Sequence, residues 1–104
     1  MKRIFLIVLD SCGAGAMPDS ERFGDVGVNP LRSCAGSREL HIPNLRRAGL
    51  GNIQGLSFLG REPSPTGAVA RLAEASMGKD TTIGHWEIAG VVSPKPLPTY
   101  PQGF

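Results

Sequence analysis

Apolar residues are spread unevenly along the chain, and that unevenness forecasts its elements. Residues 3–9, RIFLIVL, form a β-branched run without alternation, which suits a strand buried on both faces of a sheet. The run empties into DSCGAGAMPDS, which places Asp10 at the carboxyl edge of such a sheet, where α/β folds bind ligands. Gly24, Asp25, Gly27 and Asn29-Pro30 punctuate residues 19–30 as a turn-rich loop. Pro43-Asn44-Leu45-Arg46-Arg47-Ala48, followed by Gly49, predicts a short helix with proline near its start and glycine past its end. Residues 52–65 read as loop. GAVARLAEA, residues 67–75, stays open between helix and strand, since its alanines favour helix and its alternation is imperfect. Residues 82–89 predict another short helix, with Thr81 as N-cap and Gly90 as the C′ residue. The closing VVSPKPLPTYPQGF shows neither periodicity and reads as a linker.

Composition changes this picture in one respect. With 40% hydrophobic and 19% charged residues the chain is able to build a core. Its 14 Gly and 9 Pro, however, demand many turns. A domain this small buries only about 60–70% of its unfolded surface, so such a loop-rich chain is marginal by itself. The net charge of +2 is too mild for nucleic-acid binding, and Lys2-Arg3 and Arg46-Arg47 are the only adjacent cations. Cys12 and Cys34 lie in no CxxC or cysteine-histidine cluster, so reduced thiols are expected. The apolar run is too short for a signal peptide or a membrane span and ends at Asp10. A soluble, cytoplasmic protein is expected, with no nucleic-acid or membrane partner. No protein partner can be inferred.

The candidate chemistry gathers in two places. Gly13 and Gly15 follow the expected strand, but Pro18 stands where a dinucleotide fingerprint needs its third glycine. Gly78-Lys79 is followed by Asp80, so a P-loop fails too. Asp10 is suited either to ligating a cation or to capping the turn that follows it. In GKDTTIGHWEIAG, Thr81 and Thr82 open the expected helix, where unpaired N–H groups and the helix dipole favour a phosphate. A threonine hydroxyl there is a nucleophile if a metal lowers its pKa, or otherwise a plain cap worth about 1 kcal/mol. His85, one turn on, either faces the same site or is a satisfied structural histidine. Trp86 suits a core or interface anchor, and Glu87 suits pairing with a cation. Lys79 and Asp80 partly neutralise each other. Taken locally, the plainer reading is favoured for each. A two-metal site needs about six or more ligands, so if Asp10 binds a metal, most of that site lies outside these residues.

Together these segments carry a resemblance. MKRIFLIVLDSCGAGAMPDSERFGDVG, HIPNLRRAGLGNI and GKDTTIGHWEIAG, with the closing PTYPQGF, resemble the start of the phosphopentomutases of the alkaline phosphatase superfamily. The resemblance covers nearly the whole chain, and its GKDTTxGHWE run is highly specific. It implies an α/β fold: part of an alkaline-phosphatase-like core over residues 1–90, then a proline-rich linker, 91–104, toward a substrate-covering cap domain. It implies interconversion of the 1- and 5-phosphates of ribose or deoxyribose through a phosphothreonine at a site of two metals, usually manganese, with a sugar bisphosphate as activator. By this resemblance Thr81 stands at the nucleophile and is also a metal ligand, and Asp10 stands at the first metal-ligating aspartate. Lys79, Asp80, Thr82, His85, Trp86 and Glu87 support them.

The chain departs from the pattern at Cys12 and Ala14, a change of packing. It departs further over residues 29–34, where Pro30 removes a backbone donor and is expected to affect the helix that follows. The family's other metal ligands lie downstream of the matched region. The chain is therefore expected to be an N-terminal fragment that is inactive alone. Two rival readings stand beside this one. A cofactor-independent phosphoglycerate mutase would carry serine in a Gly-Asn-Ser setting, and a truncated remnant would carry no activity at all.

Overall fold

A computed structural model of the chain describes residues 1–103. Its helices are α1 (Pro30–Ala35), α2 (Pro43–Ala48) and α3 (Thr81–Ile88), with 3₁₀ turns at Ser20–Phe23, Leu50–Asn52 and Ser57–Leu59. The chain divides into two compact units, Met1–Leu72 and the residues from Ala73 onward. Among the described residues no helix is long and apolar enough to cross a membrane.

Residues 3–9, expected as a strand, carry no regular structure, and no strand occurs among the described residues. Ile4, Phe5, Leu6 and Ile7 are exposed, Ile4 by 95%. The physical reason is that a strand consists of hydrogen bonds to neighbouring strands. A β-prone run without such a neighbour among the described residues has nothing to pair with.

Elsewhere the first unit closes on itself. At α1 the Asn29 side chain accepts from the Arg32 N–H at 3.0 Å, and Pro30 takes the first helical position. The missing N–H costs nothing there, so Pro30 begins the helix it was expected to disturb, at the end of the stretch read as loop. α2 has the predicted bounds. Gly49 ends it at φ 106°, donating its N–H to the Arg46 carbonyl. Leu56 is fully buried and Leu59 nearly so. Gly51 lies directly on the Gly60 backbone, where a Cβ would collide with the Gly60 carbonyl oxygen. The Asn52 side chain then completes the fold-back. Its Nδ2 donates to the Glu62 carbonyl at 2.8 Å, and its Oδ1 accepts from the Glu62 N–H, also at 2.8 Å. Residues 67–75, left open by their pattern, form neither helix nor strand.

The second unit is built around α3. Ile83 is its fully buried side chain, seated against Gly78, where a Cβ would stand 2.6 Å from Ile83 Cδ1. The Met77 N–H donates to the Ser93 carbonyl at 2.8 Å, and the Ser93 N–H donates to Ser76 Oγ at 3.0 Å. The proline-rich segment is therefore tied to the chain ahead of α3 at Ser93.

Candidate functional site

α3 begins one residue earlier than its sequence predicts, at Thr81, and its N-cap is Asp80. Asp80 Oδ1 accepts from the Ile83 N–H at 3.0 Å. Both Asp and Thr cap helices, but Asp ranks higher and adds a negative charge at the positive end of the helix dipole. The consequence for the site is direct. Capping falls to the aspartate, and Thr81 and Thr82 occupy the first helical turn as exposed residues. At the other end Gly90 takes φ 95° as predicted, and the Gly90 and Val91 N–H groups return to the Glu87 and Trp86 carbonyls at 2.9 Å each.

The helix brings His85 to Thr81. The His85 ring nitrogen Nδ1 lies 2.8 Å from the Thr81 backbone carbonyl oxygen, so the imidazole is laid over the first turn. With Nδ1 donating to that carbonyl, Nε2 is the nitrogen left to accept a proton. Lys79 is exposed in the loop just before the cap. Trp86, expected as an anchor, is 45% exposed.

Glu87 takes partners other than the one its residue type suggested. Pairing with a cation was the expectation, whereas the carboxylate accepts backbone N–H groups, from Ala75 at 2.8 Å and from Ser76 at 2.7 Å. The Ala75 N–H first, then the Ser76 hydroxyl, with the Ser76 N–H adding to them, hold its carboxyl below the ordinary value. Ser76 and Ser93, which complete this arrangement, passed unnoticed in the sequence, and Gly78 was weighed there only as part of a P-loop. Gly78 alone carried a signal, as the glycine two residues before a capping aspartate.

Asp10 belongs to the first unit. It is exposed, and its Oδ1 accepts from the N–H of Ser11 at 2.8 Å. Ser11 adopts φ 56°, a left-handed conformation that costs a non-glycine residue energy and that this hydrogen bond helps to hold. The turn-capping role foreseen for Asp10 is present. Cys12, two residues on, is an exposed thiol, as is Cys34. Among the described residues no three His, Cys, Asp or Glu side chains are grouped so as to hold a metal ion.

No protein-family model matches the chain. Its curated relatives are nonetheless consistent. The chain is 52% identical over 105 residues to a phosphopentomutase of Lachnoclostridium phytofermentans, and 53% identical over 105 residues to one of Desulfitobacterium hafniense. To a phosphopentomutase of Caldanaerobacter subterraneus it is 48% identical over 104 residues. Each match takes in the whole of this chain, which spans only about a quarter of each relative's length, 26–27%. Over its entire length the chain is about half identical to these phosphopentomutases, matching about a quarter of each.

Proposed function

We propose that these residues are the opening part of a phosphopentomutase, with Thr81 as the residue that carries the phosphoryl group. The carrying observation is the whole-chain identity of about half to proteins of that name. The geometry supports it. Thr81 is exposed at the start of α3, where backbone N–H groups and the helix dipole favour a phosphate, and capping is left to Asp80. In this proposal the complete protein is an isomerase acting on ribose or deoxyribose phosphates in the cytoplasm, with a sugar bisphosphate as activator. Its fold is an α/β core of the alkaline-phosphatase kind, in which residues 3–9 form a strand.

Thr81 Oγ bonds to phosphorus as the bond from phosphorus to a sugar oxygen breaks, and the proton of the hydroxyl ends on that oxygen. The other sugar hydroxyl then takes the phosphoryl group from the threonine ester and returns a proton. In this proposal α3 presents Thr81 from its first turn for both transfers. His85, anchored through Nδ1, keeps Nε2 available to a proton near the first turn.

Manganese is the metal proposed by the resemblance, and the Asp10 carboxylate and the Thr81 hydroxyl are each, taken singly, an oxygen donor of the kind a hard cation accepts. A carboxylate and a hydroxyl make only part of a donor set, so the remainder must come from other residues of the complete protein. Such a metal would stabilise charge on the phosphoryl oxygens and lower the pKa of the hydroxyl. The test is mass spectrometry of the longest reading frame containing this chain, after exposure to a pentose bisphosphate. Phosphate on Thr81 is expected, and phosphate on Thr82 or elsewhere overturns the assignment. The 104 residues alone are expected to give no turnover with manganese and ribose 5-phosphate.

A further inference from the structure

Six residues after Thr81, the same helix carries a side chain that fixes the approach to it. Both Glu87 carboxylate oxygens are engaged by consecutive backbone N–H groups, those of Ala75 and Ser76. Ser76 is 4% exposed, and its hydroxyl accepts from the Ser93 N–H. The next residue, Met77, donates its own N–H to the Ser93 carbonyl. Gly78 then receives the Ile83 side chain, and Asp80 caps the helix. The chain entering α3 is thus held at the far end of the helix by Glu87, in the middle by Ile83 and at the near end by Asp80. Only residues 77–80 separate the clamped N–H of Ser76 from Thr81. A segment this short, fixed at both ends, restricts the turning of the helix about its axis against the incoming chain.

We infer that Glu87 is a positioning residue for Thr81: its carboxylate clamps the backbone of Ala75 and Ser76 to α3 and so sets the direction of the Thr81 hydroxyl. The inference rests on the proposed role of Thr81 as the phosphoryl carrier. In-line transfer is sensitive to placement, and a displacement of about 1 Å can cost on the order of 100-fold in rate. A carboxylate suits this work because it accepts two N–H groups at once. An amide of the same shape turns one donor toward a donor.

Glu87→Gln in the longest reading frame containing this chain tests the clamp, with Ser76→Ala as a second variant that keeps Glu87 and its two backbone partners and removes the Ser76 hydroxyl, which accepts from the Ser93 N–H and also hydrogen-bonds the carboxylate. Hydrogen exchange is expected to quicken about tenfold in Glu87→Gln at whichever of the Ala75 and Ser76 amides faces the new NH₂ group (about tenfold per lost bond), with exchange at Leu56 and Leu59 unchanged. Pentose phosphate interconversion is expected to lose kcat by about tenfold or more, with KM within about twofold, because the substrate contacts are untouched. Ser76→Ala is expected to show the same split, more weakly. Unchanged exchange at Ala75 and Ser76 overturns the clamp. Faster exchange with unchanged kcat overturns the positioning role, as does a rise in KM alone. Failure of the underlying reading is separately visible, because the unaltered protein would then carry no phosphate on Thr81.

Discussion

In the first unit a neutral amide, Asn52, closes a fold-back by bonding the N–H and C=O of Glu62. In the second a carboxylate, Glu87, holds the N–H groups of Ala75 and Ser76. The two side chains do the same geometric work, each standing in for the edge of a neighbouring strand, at nearly the same distances. Their chemistry divides them. The amide satisfies one donor and one acceptor and carries no charge, so it works at any ordinary pH. The carboxylate satisfies two donors and depends on staying ionised. A fold with few regular elements therefore has one closure indifferent to acid and one sensitive to it.

The strongest way to break the first closure is Gly51→Ala. The new Cβ meets the Gly60 carbonyl, and backbone cannot yield as a side-chain tip can. A loss of about 3 kcal/mol is expected in urea unfolding, at the upper end for overpacking. Asn52→Ala leaves the Glu62 N–H and C=O without their partner, and about 2 kcal/mol is expected to go by the same measurement. Asp80→Ala removes the cap of α3 and is expected to cost about 1 kcal/mol, whereas Asp80→Asn should cost only a few tenths. Circular dichroism on heating separates the two variants.

The smallest effect sharpens the comparison most. Glu87 has its carboxyl value lowered from the ordinary 4.5, so the folded state favours the ionised form. Its contribution is complete above that ordinary value and is lost as pH falls through the lower, folded one. Amide exchange at Ala75 and Ser76, corrected for intrinsic rates, is expected to accelerate over that acid range. The Glu62 amide, held by Asn52, should not. Equal acceleration at both would mean that the two closures do not differ in the way their chemistry requires.

What the sequence disclosed follows the same division between local and distant causes. α2 was legible to the residue because Pro43 and Gly49 are local punctuation whose effect depends on nothing else. α3 was legible as an element, but its start was misjudged by one residue, since Asp80 and Thr81 both make caps and only the Ile83 N–H decides between them. α1 escaped because Asn29-Pro30 was taken for a turn when it is equally a helix start. The paired bonds of Asn52 and of Glu87 reach ten and more residues along the chain, and no periodicity announces them. At the candidate site the residue types pointed to Thr81 and His85, and the contact the helix makes is between the His85 ring and the Thr81 backbone carbonyl, which is the satisfied structural histidine of the plainer reading. Residues 3–9 mark the opposite limit, where a β-prone pattern forms no strand because no other strand occurs among the described residues to pair with it.

That exposed run also has a consequence for the chain as a material. Ile4, Phe5, Leu6, Ile7, Val8 and Leu9 are uncharged, free of proline and glycine, and exposed together. Six such residues are the composition from which dry, interdigitated cross-β stacks are built. In concentrated solution the sequence that would serve as an interior strand is also the chain's readiest point of self-association. A charge introduced at Leu6 would act first on colloidal behaviour, and hardly at all on the two closures that hold the rest.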